Sequence, residues 1–512
     1  MSVPGLMVVW ELAICLLPLV GFLLVALESK IVHFHGSRWF PLAFLASAVS
    51  AVLYPAGGIS TLIGHGQLSL TLGFGALEKF FLVVVEIVAA VIVSFAARHL
   101  RYDPDRLRFF GGTAFVALSI ALLTLGASLL TVAAGWIALG YGYAWTLNYR
   151  RGRQGRGREE ARRLVRYFAI SDVLFVAGAG LLGRFHPGFE VGRLAMEAGM
   201  ATHLGTISWV GMGMIAVSIL VKSAQGPFFG WLPGTVNAPT PASALLHAGV
   251  INGGLILLVR LSPFVLANPP FAIAIGAVGA VTAVVVSTLG RFRADYKGKL
   301  VCSTAAQMGF VVIEVALGQV LLAVIHITLH ALYKATLFLG SSSQVSSLRG
   351  RVLRGVGEIR LLDKLVVLAG LALAAAILLA PLGTSAGLDP VSLFGLAAVV
   401  VIGSKLLSQI GKRDRLAGTL ALLAISAVLT GFGALVLYLV PAIPIAQVDG
   451  YGLALLALVA MGGWLLPRYC LRGWPLQAFD AIALWGRGAR VPGRSLGALL
   501  TDVPDEHLPL AG

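Results

Sequence analysis

From end to end the chain alternates apolar runs of 16 to 25 residues with short polar connectors. A run of that length, wound as a helix, crosses or nearly crosses a ~30 Å hydrocarbon core. Fifteen spans are predicted, at about 8–27, 40–58, 80–97, 110–125, 127–148, 166–183, 205–224, 240–260, 271–290, 300–317, 320–341, 366–381, 391–411, 417–440 and 451–467. The first is long enough to span, so it reads as a helix rather than a cleavable leader. No strands are expected between the spans. The fold class is therefore an all-α polytopic membrane protein with about 14–15 transmembrane helices. The membrane domain covers 1–472, and the less apolar segment 473–512 reads as a cytoplasmic tail.

Two spans are interrupted. The seventh offers only 206–221 before Lys222, roughly 24 Å of helix, short of the ~30 Å core. The next segment, K-S-A-Q-G-P-F-F-G-W-L-P-G-T-V-N-A-P-T-P-A-S-A-L-L-H, holds Pro227, Pro233, Pro239 and Pro241 and ends on His247. Irregular backbone at membrane depth must be buried in protein or line a wet cavity. The twelfth span breaks at Pro381–Gly383 before a new run begins at Val391. Interrupted helices at matching places in two halves point to inverted repeats. Two inverted five-helix repeats are expected, over about 110–260 and 271–411.

Composition supports this and charge orients it. The chain is 58% hydrophobic and 12% charged, with a mean hydropathy of +0.91 and a net charge of +16. Of 38 Lys and Arg, 31 fall in alternate loops and the tail, eight of them arginines between Arg150 and Arg166. The opposite loops receive Lys79, Arg184, Arg193 and Arg260. Positive residues mark the cytoplasmic side, so the N-terminus faces out and the C-terminus in. The basic excess sets topology first and meets anionic membrane lipids second. It does not indicate nucleic acid, because no aromatic residues interleave the basic loops. Cys15, Cys302 and Cys470 lack metal spacing and read as core filler. No phosphate-binding or dinucleotide fingerprint is present, and no metal site is expected.

The chemistry lies in ionisable residues inside the spans, which are functional candidates by default. His326, His330 and Lys334 stand at i, i+4 and i+8, on one helix face climbing about 12 Å. Imidazoles titrate near neutrality and a desolvated lysine can release its proton, so the row suits proton relay. The competing reading is polar glue between helices. Lys222 sits at a helix end, where an ammonium meets freed carbonyls; the alternative there is snorkelling. His247 could bridge Lys222 to the His326 face. Asp172 could tune Lys222 or equally pair with Arg166. Glu86, Glu314 and Lys405 are secondary candidates in apolar spans, and Lys405 could also snorkel.

Three motifs in order carry a resemblance. Residues 222–247, D-Y-K-G-K-L-V-C-S-T-A-A-Q-M-G-F (295–310) and H-I-T-L-H-A-L-Y-K-A-T-L-F-L-G (326–340) resemble the antiporter-like proton-conducting subunits. These include the distal membrane subunit of NADH:quinone oxidoreductase, the large Mrp antiporter subunits, and DabB of inorganic-carbon accumulation complexes. The likeness is strong over about 160–345. The resemblance implies that Lys222 carries protons, that His247, His326, His330 and Lys334 form a central polar axis, and that Asp172 is the family's acidic residue after the basic loop. Two elements depart from the respiratory pattern. Ile137 stands where Gly-Trp-Glu would place its Glu, and A-P-L-G-T-S-A-G-L-D-P replaces Ser-Lys-Asp near the twelfth helix break. The long lateral helix is also not expected.

The phrases A-Q-M-G-F, L-L-H-A-G-V-I-N-G-G and R-L-S-P look most like DabB. That resemblance implies a prokaryotic inner-membrane subunit of a carbon (CO2/bicarbonate) uptake complex. Protons would drive a DabA-like peripheral partner that holds zinc, with no cofactor in this chain. The alternatives are a membrane subunit of an NADH:quinone oxidoreductase or hydrogenase complex, an Mrp-type cation/proton antiporter subunit, or a structural anchor.

Overall fold

The computed structural model describes residues 3–31, 39–55, 59–63, 69–150, 156–185, 190–191, 205–291, 293 and 295–341. In chain order these form α1 (Val3–Ile31), α2 (Trp39–Leu53), β1 (Ile59–Ile63), β2 (Leu70–Gly73), α3 (Ala76–His99), α4 (Arg106–Leu125), α5 (Leu129–Leu147) and α6 (Arg156–Phe185). After these come α7 (Thr206–Lys222), α8 (Thr240–Arg260), α9 (Ser262–Leu266), α10 (Pro269–Arg291), α11 (Tyr296–Ala316) and α12 (Val320–Leu339). Eight of these helices are long and apolar enough to cross a membrane, and α2 and α7 are shorter apolar helices. The chain is an integral membrane protein. The spans expected from 366 onward, the break at Pro381–Gly383, Lys405, most of the second repeat and the tail 473–512 lie outside the described residues.

The expectation of no strands is corrected. β1 and β2 pair antiparallel, with a register irregularity between Thr61 and Ile63. The hairpin lies at one end of the bundle, where Ala127 donates to Thr71 O at 2.9 Å. Backbone groups outside hydrocarbon can pair as a ladder there.

The seventh span breaks as its composition requires. α7 ends at Lys222 after 17 residues. Phe229–Asn237 then runs as a 3₁₀ stretch containing Pro233. Pro239 stands at the N-terminal boundary of α8 and Pro241 falls in its first turn, where proline is tolerated. Pro227 follows a cis peptide bond. Within α8 a π-helical turn covers Leu246–Val250 and holds His247; such turns recur at functional sites.

Close packing depends on small residues. A Cβ on Gly178 in α6 would fall 2.5 Å from Gly211 O in α7, and one on Gly279 in α10 would fall 2.6 Å from Gly309 O in α11. Both pairs bring backbones together as small residues do in membrane bundles. α11 is capped by Asp295, whose carboxylate accepts from Gly298 N at 2.6 Å.

Two polar clusters mark opposite ends of the bundle. At one end Asp103 accepts from Tyr149 Oη (3.0 Å) and from Arg150 Nε (2.9 Å), joining the α3–α4 connector to the end of α5. At the other, Arg260, expected among the loop charges, has a buried side chain. It donates to Leu123 O (2.9 Å) and Gly126 O (2.7 Å) at the end of α4 and lies 3.3 Å from Glu78. Arg260 thereby satisfies orphan carbonyls of a helix C-terminus.

Burial alone would raise the Asp103 carboxyl, but the hydrogen bonds from Asp105 N, Tyr149 and Arg150, with the Arg150 charge, hold it below its ordinary value. A carboxyl so held contributes stability above its unfolded value of about 3.9 and loses it as pH falls through the lower folded value. Asp103→Asn is expected to lower stability by about 1 kcal/mol, because Arg150 is partly exposed. In thermal unfolding the gap between wild type and variant should hold constant above about pH 5 and close as the sample is acidified below about pH 4.

Candidate functional site

Lys222 is the last residue of α7 and is 1% exposed. Its ammonium lies 2.7 Å from Asp172 Oδ1 on α6 and donates to Trp136 O on α5. The Trp136 ring stands 4.4 Å from Nζ and the Phe168 ring 5.1 Å. A carboxylate, a carbonyl and two aromatic faces therefore surround one cation, each a partner that a desolvated ammonium needs. By sequence Asp172 could serve Lys222 or Arg166; the geometry pairs it with Lys222. The box is braced from behind. Trp136 Nε1 donates to Ser171 Oγ (3.2 Å), and Ser171 Oγ bonds Ser218 O (3.0 Å) on α7.

The second group lies on α12 and its neighbours. His326, His330 and Lys334 run along the helix face, and α11 anchors both ends of the row. Glu314 Oε1 lies 2.8 Å from His326 Nδ1. Lys334 donates to Leu300 O (3.1 Å) and Ser303 Oγ (3.0 Å). His326 is partly open, with 24% of its side chain exposed, whereas His330 and Lys334 are buried. His247, from the π turn of α8, stacks on Phe338 of α12 with centroids 4.3 Å apart. Its neighbours in electrostatic reach are Lys334 and His330. Neither ring nitrogen of His247 or His330 has a hydrogen-bond partner among the described residues.

Gln225 links the two groups. Three residues past Lys222, it donates to Ser223 O (2.9 Å) and to Ala305 O on α11 (3.3 Å). Ala305 lies two residues from Ser303, the hydroxyl that holds Lys334. Ser223 Oγ, Gln225 Oε1 and Asn252 Oδ1 are buried without partners among the described residues. Buried polar groups of this kind are met in proteins by ordered water.

Glu86 is not part of either group: it forms no ion pair among the described residues, and its electrostatic neighbour is Cys15 on α1. Trp136, Ser171, Ser218 and Gln225 are site residues that sequence reasoning missed. Only the tryptophan of A-G-W-I carried a signal, and it drew notice for the residue after it. Among the described residues no group of three His, Cys, Asp or Glu could hold a metal ion.

A polytopic bundle with a charged lysine buried at a helix break, beside a row of ionisable residues, defines an ion-translocating type of membrane protein. Residues 127–408 match the family described as NADH:quinone oxidoreductase/Mrp antiporter, TM. That is more than half of the chain, and the chain belongs to this family.

Among similar proteins, a probable inorganic carbon transporter subunit DabB2 of Halothiobacillus neapolitanus (strain ATCC 23641 / c2) is 30% identical over 308 residues, 60% of this chain and 55% of that protein. A probable inorganic carbon transporter subunit DabB of Hydrogenovibrio crunogenus (strain DSM 25203 / XCL-2) is 29% identical over 320 residues, 61% of this chain and 62% of that one. An NADH-ubiquinone oxidoreductase chain 5 of Schizophyllum commune is 29% identical over 283 residues, 54% and 40% respectively. The chain thus spans less than two thirds of the length of these relatives. Its fold is similar to a chain in the structure of the Mrp complex from Dietzia sp. DQ12-45-1b, with a TM-score of 0.66 and 20% identity over 98% of this chain and 61% of that one.

Removing one partner of a buried pair strands the other. Asp172→Asn is expected to destabilise the protein by about 3 kcal/mol or more. Asp172→Leu combined with Lys222→Met should recover most of the loss. Thermal unfolding of the two variants and wild type in the same lipid measures this; equal midpoints for Asp172→Asn and wild type would show that the pair does not hold the helices.

Proposed function

We propose that this chain is the proton-conducting membrane subunit of an energy-coupled inorganic carbon uptake complex. The observation that carries the reading is the pair of fully buried Lys222 and largely buried Asp172 at the break of α7. A desolvated ammonium costs about 2.5–3.5 kcal/mol on insertion scales, and a helix that only anchors has no need of one. The relatives named as DabB subunits support the carbon reading.

In this reading a proton enters at the partly open His326, held by Glu314. It passes along His330 and Lys334 with His247 alongside, crosses through water that would bond the unpartnered oxygens of Ser223, Gln225 and Asn252, and reaches Lys222. The unpartnered ring nitrogens of His247 and His330 supply free donor and acceptor positions for such steps. Asp172 steadies the charge on Lys222 between arrivals. The face bearing Asp103, Arg150 and the basic loops would be cytoplasmic in a prokaryotic inner membrane, with the N-terminus outside. The proton-motive force so dissipated would drive a DabA-like peripheral partner, and zinc would belong to that partner.

A second reading, a membrane subunit of an NADH:quinone oxidoreductase, is favoured by the relative named chain 5 of such an enzyme. Gentle detergent capture of the tagged chain separates the two. A single large zinc-bearing partner supports carbon uptake, whereas flavin and iron–sulfur subunits support the redox complex. Lys222→Ala is expected to abolish energy-dependent carbon uptake while the complex stays assembled. Normal uptake by a well-assembled Lys222→Ala complex would sink the relay.

A further inference from the structure

Away from the lysine and histidine groups, α1, α2, α3 and α4 enclose a small apolar cluster that includes Ile14, Ala51, Phe74, Leu82 and Leu125. Two carboxyl groups are buried beside it. Glu11 on α1 is 0% exposed and Glu86 on α3 is 1% exposed. Tyr54, at the end of α2, donates its hydroxyl to Glu11 Oε1, and its ring packs 4.3 Å from Phe74. Glu86 follows Leu82, a member of the cluster, by one turn of α3, and Cys15, one helical turn from Glu11, lies in electrostatic reach of both carboxyls.

The charge balance around Glu86 is unusual. No lysine, arginine or histidine pairs with it among the described residues, and its Oε2 accepts no hydrogen bond. The nearby Lys79 is committed to a main-chain carbonyl, Tyr54 O at 2.9 Å. α4 brings Ala121 and Leu125 to the cluster, and next to Leu125 the hydroxyl of Thr124 is buried without a partner among the described residues. A buried ionised carboxylate without a cation is costly by several kcal/mol, and proteins neutralise such groups.

We propose that Glu86, together with the Tyr54–Glu11 pair, is a second proton-binding site, set among α1, α2 and α3, the last of which also packs against α8 and α12, the helices of His247 and His326. The site does not depend on which partner complex the chain serves.

Infrared spectroscopy of the full chain in lipid vesicles, with carbon-13-labelled glutamate, tests it. A protonated-carboxyl carbonyl band is expected at neutral pH that Glu86→Gln removes and that Glu11→Gln shifts, because the two groups share one cluster. Glu86→Asp, which keeps a carboxyl in place, should retain the band at a displaced frequency. That variant decides the matter if Glu86→Gln does not fold. A spectrum left unchanged by these Glu86 substitutions would overturn the proposal, as would a Glu86 band at neutral pH that reports the ionised carboxylate.

Discussion

One ammonium ion buried at membrane depth organises the described part of this protein. Lys222 cannot be solvated there, so three helices must converge to surround it. α6 brings the carboxylate of Asp172 and the ring of Phe168, and α5 brings the carbonyl and ring of Trp136. The Gly178–Gly211 contact that draws α7 against α6 answers the same demand, since an ion pair of 2.7 Å needs the two backbones close. Ser171 and Ser218 then fix the register of the two helices by hydrogen bonds rather than by shape alone.

The break that places Lys222 at a helix end leaves hydrogen bonds of its own to be made, because backbone groups freed inside a bilayer must be met within the protein. The structure meets them with side chains. Trp231 Nε1 donates to Val221 O, and the turn itself closes through Gln225 N to Leu220 O. Thr282 Oγ1 on α10 accepts from Gly226 N, and Lys297 at the start of α11 donates to Ala238 O. The irregular segment is therefore tied to α10 and α11, and α11 packs against the histidine row.

Much of this is legible in the residues. Length and hydropathy alone yield the spans that fall within the described residues, because a bilayer admits few solutions. The shortfall before Lys222 and the four prolines after it announce the break. The i, i+4, i+8 row on α12 is read directly from helical periodicity. The rest depends on contacts between segments far apart in the chain. Asp172 has two cations within reach along the sequence, and only the packing of α6 on α7 chooses Lys222. Arg260 resembles a loop charge because its partners are carbonyls of α4, which a sequence does not display. The β1–β2 hairpin escapes notice because its I-S-T-L-I and L-T-L-G runs are short and sit between far stronger apolar signals. Depth in an apolar span makes Glu86 a secondary candidate, and only the packing of the helices shows that its electrostatic neighbour is Cys15 of α1.

Ile137 gains a physical meaning from the box around Lys222. In the respiratory pattern a glutamate there would give the lysine a second carboxylate. Here the position after Trp136 is apolar, yet the tryptophan itself faces the ammonium with its carbonyl and its ring. Those partners attract a cation without carrying a charge, and a ring face contributes about 0.5–2 kcal/mol, less than a well-placed buried carboxylate. The pair with Asp172 is then one-to-one and nearly neutral, so it can be buried without a third ion. Electrostatic control of Lys222 is thereby concentrated in a single residue. In a site with two acids, a proton leaving one could be answered by the other. In this one, the charge state of Lys222 is answered by Asp172 alone, whose Oδ2 is free of hydrogen bonds among the described residues and remains open to a bridging water.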